Sequence, residues 1–235
     1  YASVLTFLGR QEKVINQILQ SAELALDKVA PDDTTRNLRG QIASLRAMLG
    51  IPKNEIDTII TQSRLTLDLV DPDNLPVRTA ASWTLGFAYQ ISGHRAEAIE
   101  AYQQAISTSQ ATGNTMITMA GTVSLAQVQE TNNQFYLAVE TYQQALALLG
   151  DPPLPVACEP YIGLARIYYE WNELQVSQEY AELSLQLAYQ VENVDTPATC
   201  GLMLARLKLA QGDLEGAEGA LADATQFVRQ HNFLH

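Results

Sequence analysis

Apolar residues along this chain recur three and four positions apart, which is the period of a buried helix face and not of a strand. The clearest stretch is WTLGFAYQISGHRAEAIEAYQQAI, Trp83 to Ile106. Leu85, Gly86, Tyr89, Ala98, Tyr102 and Ala105 fall on the inner faces of two short helices, with "SGH" at 92–94 between them. The pattern returns in SLAQVQETNNQFYLAVETYQQAL, where Leu125-Ala126, Ala138, Tyr142 and Ala145 stand 40 residues after their counterparts. It returns again in GLARIYYEWNELQVSQEYAELSL, with Leu164-Ala165, Tyr168, Ser177, Ala181 and Ser184. A last copy is MLARLKLAQGDLEGAEGALADA, with Leu204-Ala205, Gly212, Ala217, Leu221 and Ala224. Backward, Leu45, Leu49, Thr58, Ile59 and Leu65 keep a weaker register, and before them only the second half of a unit is left.

Each unit therefore reads as a pair of helices. "SGH", "TNN", "WN" and "QGD" separate the helices of a pair, and "VDPDNLP", "TGN", "GDPPLP" and "VDTP" separate the pairs. Asn74, Asn114, Thr196 and Asp213 are expected N-caps, with Pro197 at the first helical position after Thr196. Pro160, early in its helix, is expected to distort the first turn. A lone pair of helices cannot bury its apolar face, so stability must come from stacking on neighbours. The small residues then mark close helix crossings. Gly86 is expected to face Ala98 within one pair, Ala105 to face the next pair, and Tyr89 and Tyr102 to fill the gaps. The fold class that follows is all-α: about five helical hairpins and a leading half-hairpin, wound as one right-handed superhelical domain over residues 1–235. The array starting in mid-repeat, and the first residue being Tyr1, point to a piece excised from a longer protein.

Composition narrows the function. The net charge is −12, from 14 basic and 26 acidic residues. Such a surface repels phosphate backbones and anionic lipid, so direct nucleic-acid binding is not expected. No apolar run approaches the roughly 20 residues of a membrane span, and no signal segment opens the chain. Together with the isolated thiols Cys158 and Cys200, this leads us to expect a cytoplasmic protein. Three histidines without a ligand motif give no metal site. No GxxxxGK[ST] loop and no GxSxG elbow occur, so no cofactor and no catalytic residue is expected, and the protein is read as a non-enzyme. Glu97 and Glu100 share a helix face and are read as solvated.

The leucine-small pair followed by Tyr, Gly, Ala, Tyr and Ala resembles the tetratricopeptide repeat (TPR), whose usual period is about 34 residues. Here the step is 40, the extra length falling in the helices and links. "TLGFAYQISGHRAEA", "YYEWNEL" and "LARLKLAQGDLEGA" carry the resemblance further, to the superhelical region of MalT-like, LuxR-type bacterial transcriptional regulators. That resemblance implies signal sensing: an inducer- or partner-binding domain, with nucleotide-binding and helix-turn-helix domains on other parts of the parent chain. In tetratricopeptide superhelices the first helix of each hairpin lines the concave groove. Counted from each Leu-small pair, the positions expected there are Trp83, Phe87 and Gln90; Val123, Gln127 and Glu130; Ile162, Arg166 and Tyr169; and Leu202, Arg206 and Leu209. Trp83, Phe87, Gln90, Gln127, Glu130, Arg166, Tyr169 and Arg206 make the candidate site: flat apolar area with a few directed polar groups, suited to a small-molecule inducer or a protein or peptide partner. Glu130 and Arg166 are expected to pair across that groove as an exposed ion pair. The alternative reading is a freestanding scaffold for protein-protein interaction. The groove positions hold no Lys, which disfavours a clamp for C-terminal carboxylates.

Overall fold

A computed structural model of the protein describes residues 2–150, 152–191 and 195–230. Among the described residues there are eleven α-helices and no strand. They are α1 (Ala2–Leu26), α2 (Asp33–Gly50), α3 (Ile56–Leu69), α4 (Leu75–Ile91), α5 (Arg95–Ala111), α6 (Thr115–Thr131), α7 (Phe135–Ala147), α8 (Cys158–Glu170), α9 (Leu174–Ala188), α10 (Asp195–Ala210) and α11 (Leu214–Gln230). A single 3-10 turn, Pro155–Ala157, precedes α8. This is the expected leading half-hairpin followed by five pairs. The chain falls into two compact units, one ending at Val128 and the other beginning at Gln129.

The turn inside each pair is built the same way five times. Asn54, Gly93, Asn133, Asn172 and Gly212 have φ of 55°, 79°, 58°, 60° and 83°, the left-handed region that glycine and asparagine tolerate. The next residue then sends its N–H back to a carbonyl five residues earlier: Glu55 to Gly50, His94 to Tyr89, Gln134 to Gln129, Glu173 to Tyr168 and Asp213 to Lys208, at 2.9–3.1 Å. That bond caps the outgoing helix and aims the chain into the returning one.

At the helix starts the expectations divide. The Asn114 side chain accepts the Ile117 N–H at 3.1 Å, and Asp213 accepts that of Gly216 at 2.9 Å. Asn74 holds the cap position of α4 without a side-chain cap bond. Thr196 is not a cap: α10 already includes Asp195, and the Thr196 hydroxyl donates to the Glu159 carboxylate of α8. A capping box that the sequence reading passed over joins Asp32 and Thr35. Pro160 leaves α8 regular, because a third-position N–H has no partner inside a helix; the irregular turn lies before Cys158.

In the first unit Leu85, Tyr89, Ala98, Ala101, Tyr102, Leu125 and Val128 form one buried cluster. Gly86 does not meet Ala98, as the sequence had suggested. A Cβ at Gly86 would lie 2.7 Å from Cδ1 of Tyr102, so the small residue makes room for the ring of the returning helix. Buried hydroxyl pairs tie successive helices: Ser63 with Thr84, Thr79 with Thr108, and Ser109 with Thr118, at 2.8–2.9 Å. Each pair satisfies two polar groups that would be costly to bury alone.

In the second unit the cluster is Ile162, Ala165, Ala181, Cys200, Met203 and Leu207. Ser177 and Ser184, fully buried, donate to the Ala165 and Cys158 carbonyls at 2.6 and 2.7 Å, so the small positions of α9 bind the backbone of α8. Ala138 and Ala145 are fully buried. Ala217 is only half-buried, since α11 packs mainly on α10. Burial raises the Cys158 thiol to about 12 and the Cys200 thiol to about 11. Both stay protonated and act as small apolar groups.

Candidate functional site

The candidate residues lie where the second turns of the first helices end, and the two units are best taken separately. In the first, Trp83 and Phe87 are one helical turn apart on α4. Their rings stack at 6.0 Å with 13° between planes, and Trp83 also tilts against Tyr102 at 6.5 Å. Both are half-buried. Gln90 is already engaged, since its Oε1 accepts the Tyr102 hydroxyl at 2.7 Å. Gln127 is half-buried on α6.

In the second unit, Arg166 on α8 reaches Glu130 at the end of α6 with both arms of its guanidinium. Nε donates to Oε1 at 2.7 Å and Nη2 to Oε2 at 2.8 Å. The Tyr142 hydroxyl also donates to Oε2, at 2.8 Å. The sequence reading expected the pair but called it exposed. Only 15% of the Glu130 side chain and 30% of Arg166 remain accessible, and Tyr142 is fully buried. Burial by itself would lower the Arg166 pKa. The hydrogen bond and charge of Glu130 outweigh it, and the guanidinium is held above its usual value. Tyr142 is pushed well up, first by burial and then by the Glu130 carboxylate. Both oxygens of Glu130 are therefore committed, and this network acts as framework. Tyr142 was missed as its third member. The signal was present: Gln90 and Tyr102 stand 40 residues before Glu130 and Tyr142, and the same hydroxyl-to-oxygen bond forms in both repeats.

The arginine position repeats too. Arg206 stands 40 residues after Arg166 and Glu170 stands 40 after Glu130. Arg206 and Glu170 approach to 3.8 Å, with 55% and 53% of their side chains exposed. Here the guanidinium lies over the Tyr169 ring, 4.6 Å from its centroid. So one repeat buries its ion pair, and the next presents a cation on an aromatic face to solvent. Val123 and Ile162, counted into the groove from the sequence, are 6% and 2% exposed and belong to the cores. Leu202 and Leu209 are 49% and 57% exposed. A concave space of about 680 Å³ along α11, lined by Leu221, Thr225 and Arg229, contains none of these residues. Among the described residues no group of His, Cys, Asp and Glu is placed to hold a metal ion. No described helix is long and apolar enough to cross a membrane.

The fold has many solved counterparts. BtubC (BKLC) from P. vanneervenii superposes with a TM-score of 0.71 at 19% identity, over 97% of this chain and 93% of that one. The apo form of the quorum sensor NprR from B. thuringiensis gives 0.76 at 14% identity, over 96% of this chain and 62% of NprR. The apo form of RapI gives 0.71 at 10% identity, over 92% and 60%. The chain thus spans about three fifths of the length of NprR and of RapI. At such identities these likenesses establish the fold alone, an all-α superhelical repeat of tetratricopeptide type. No curated protein matches the sequence. The sequence itself decides the family: residues 40–235 match the MalT-like TPR region, in which the left-handed turns, the Gly86–Tyr102 fit and the 40-residue step all find their place, and the chain belongs to that family.

Proposed function

We propose that this helical-repeat domain is the sensing region of a LuxR-type transcriptional regulator. It binds an inducer or partner through the accessible aromatic and cationic groups of its first helices. The family match over residues 40–235 carries this reading. Two local features support it. Trp83 and Phe87 offer a stacked, half-buried ring pair in the first unit. Arg206 over Tyr169 offers a directed cation on a flat face in the second. Flat apolar area with few polar groups is what an oriented small ligand or peptide needs. The likeness to a quorum sensor solved in its apo form fits a sensing role. The domain works without catalysis, in the cytoplasm, by binding two states of its parent with different affinity, since only differential affinity shifts an equilibrium. Nucleotide and DNA binding belong to other domains of that parent.

A second reading has its own support: a freestanding scaffold for peptide segments of partner proteins. BtubC is matched over 93% of its length, so a repeat array of this size also exists as nearly a whole protein. The coding sequence on either side separates the two. A phosphate-binding loop upstream and a helix-turn-helix downstream are expected for the regulator. An open reading frame without either overturns it in favour of the scaffold.

A further inference from the structure

Five aromatic rings in the second unit belong neither to its core cluster nor to the site just described. Tyr136 of α7 lies 4.9 Å from Trp171, in the turn between α8 and α9. Trp171 meets Tyr168 edge-on at 5.4 Å, Tyr168 stacks on Tyr180 of α9 at 5.5 Å, and Tyr180 stacks on Tyr161 at 5.9 Å. The rings form one unbroken strip along the α8–α9 pair, continued onto the neighbouring helix α7. Tyr136 is 79% exposed, and the other four are half-buried. The tyrosines that the repeat uses for packing have engaged hydroxyls: Tyr89 accepts from Arg64, Tyr102 donates to Gln90 and Tyr142 to Glu130. In contrast, the hydroxyls of Tyr136, Tyr161, Tyr168 and Tyr180 have no protein partner among the described residues.

The charge around the strip has one sign. The chain from Gln129 onward carries 14 acidic and 4 basic residues, whereas the part before it carries 12 and 10. Three of the four cations are occupied: Arg166 by Glu130, Arg206 by Glu170 and Tyr169, and Lys208 by Asp213. The fourth, Arg229, is in the last turn of α11. On the helices that carry the rings, Glu140, Glu173, Glu179 and Glu182 are exposed. The Tyr180 hydroxyl is raised by burial, by its tyrosine neighbours and by Glu179, so the strip itself stays neutral.

We propose that this aromatic strip is a docking surface for an extended, arginine-rich segment of a partner protein. Aromatic faces attract guanidinium groups, the more so with carboxylates alongside. Alternate side chains of an extended chain recur about every 6.5–7 Å, close to the 4.9–5.9 Å between successive rings. A segment of that kind can place a cation near one ring after another, while the same surface repels acidic segments. The surface is separate from Trp83 and from Arg206, so its test stands apart from that of the sensing role.

The test is calorimetric titration of the whole chain with three octapeptides that alternate glycine with arginine, with glutamine or with glutamate. Low and high salt are compared, with Tyr136→Ala, Trp171→Phe and the Tyr136→Ala/Trp171→Ala double variant beside the wild type. Tyr136 is so exposed that its loss cannot unfold the chain, which keeps that arm decisive. The arginine peptide is expected to bind, more weakly at high salt, and the other two not to. Tyr136→Ala is expected to weaken binding severalfold and the double variant roughly tenfold, with Trp171→Phe near wild type. The proposal is overturned if the arginine peptide does not bind, or if the glutamine peptide binds as well. It is equally overturned if the double variant binds unchanged, which reduces the effect to general attraction by an acidic unit.

Discussion

Arg166 and Arg206 occupy the same repeat position and do different work. Arg166 donates twice to a carboxylate that also holds a buried tyrosine. Arg206 meets its carboxylate at 3.8 Å in water. Removing one partner of a buried pair costs about 3–5 kcal/mol, whereas an exposed pair is worth about 0–1 kcal/mol. In urea unfolding, Arg166→Ala is expected near the first figure, reduced somewhat by its partial exposure, and Arg206→Ala within the second. Equal losses would contradict the division into framework and surface. The sequence showed that Glu130 and Arg166 could meet, because their 36-residue separation is one repeat less one turn of helix. Burial could not be read the same way, since it depends on Tyr142 arriving from α7.

The two thiols give a further test at this scale. Folded values of about 12 and about 11 stand above the unfolded reference of 9.0. The unfolded chain therefore loses these protons first as pH rises. Stability is unaffected by them below pH 9.0 and falls from there toward about 12. The Tyr142 hydroxyl, also raised, acts in the same direction above its ordinary value of 10.0. Unfolding free energy measured across this range should drop less steeply in a Cys158→Ala/Cys200→Ala variant. An unchanged slope would show that the thiols are not buried as described.

At the scale of the element, the helical pairs were legible because their breakers are chemical. Gly93, Asn133, Asn172 and Gly212 mark turns that need positive φ, and all four have it. A Cβ at Gly93 would meet nothing within 4 Å, so Gly93→Ala pays for conformation alone, about 1 kcal/mol. Asn133→Gly should be nearly neutral. Asp213→Ala removes the bond to the Gly216 N–H and should cost about 1 kcal/mol, measured by thermal unfolding. A loss at Asn133→Gly as large as that at Gly93→Ala would contradict the account of the turns. Thr196 shows the limit of such reading. Thr-Pro is a good helix start in isolation, but a contact to Glu159, distant in sequence, places the hydroxyl elsewhere. Which residue a glycine faces was similarly out of reach: Gly86 gives way to a ring thirteenth along from it in chain order plus a turn, at Tyr102, and only packing of the pair reveals that.

At the scale of the whole molecule, the repeat and its family were legible because small and aromatic residues recur every 40 positions. The candidate site was legible only in part. Counting positions found Trp83 with Phe87 and Tyr169 with Arg206, but it also admitted Val123 and Ile162, which are core. It overlooked the strip from Tyr136 to Tyr161, whose members come from three helices and a turn and share no single repeat position. With a net charge of −12, the chain alone should not shift duplex DNA in a gel at moderate salt, and a tight complex would overturn the assignment of DNA binding to another domain.

The central claim is that the accessible rings and cation of the first helices meet the partner, while the Glu130–Arg166–Tyr142 network only holds the frame. It is tested most directly by calorimetric titration of the chain with sugars, small metabolites and peptides, repeated with Trp83→Ala and Arg206→Ala. For a ligand that binds the wild type, at least one of these variants is expected to lose about tenfold in affinity or more, as loss of an aromatic or cationic contact of about 1–2 kcal/mol requires, with little change in stability for Arg206→Ala. A ligand bound with unchanged affinity by both variants would contradict the claim.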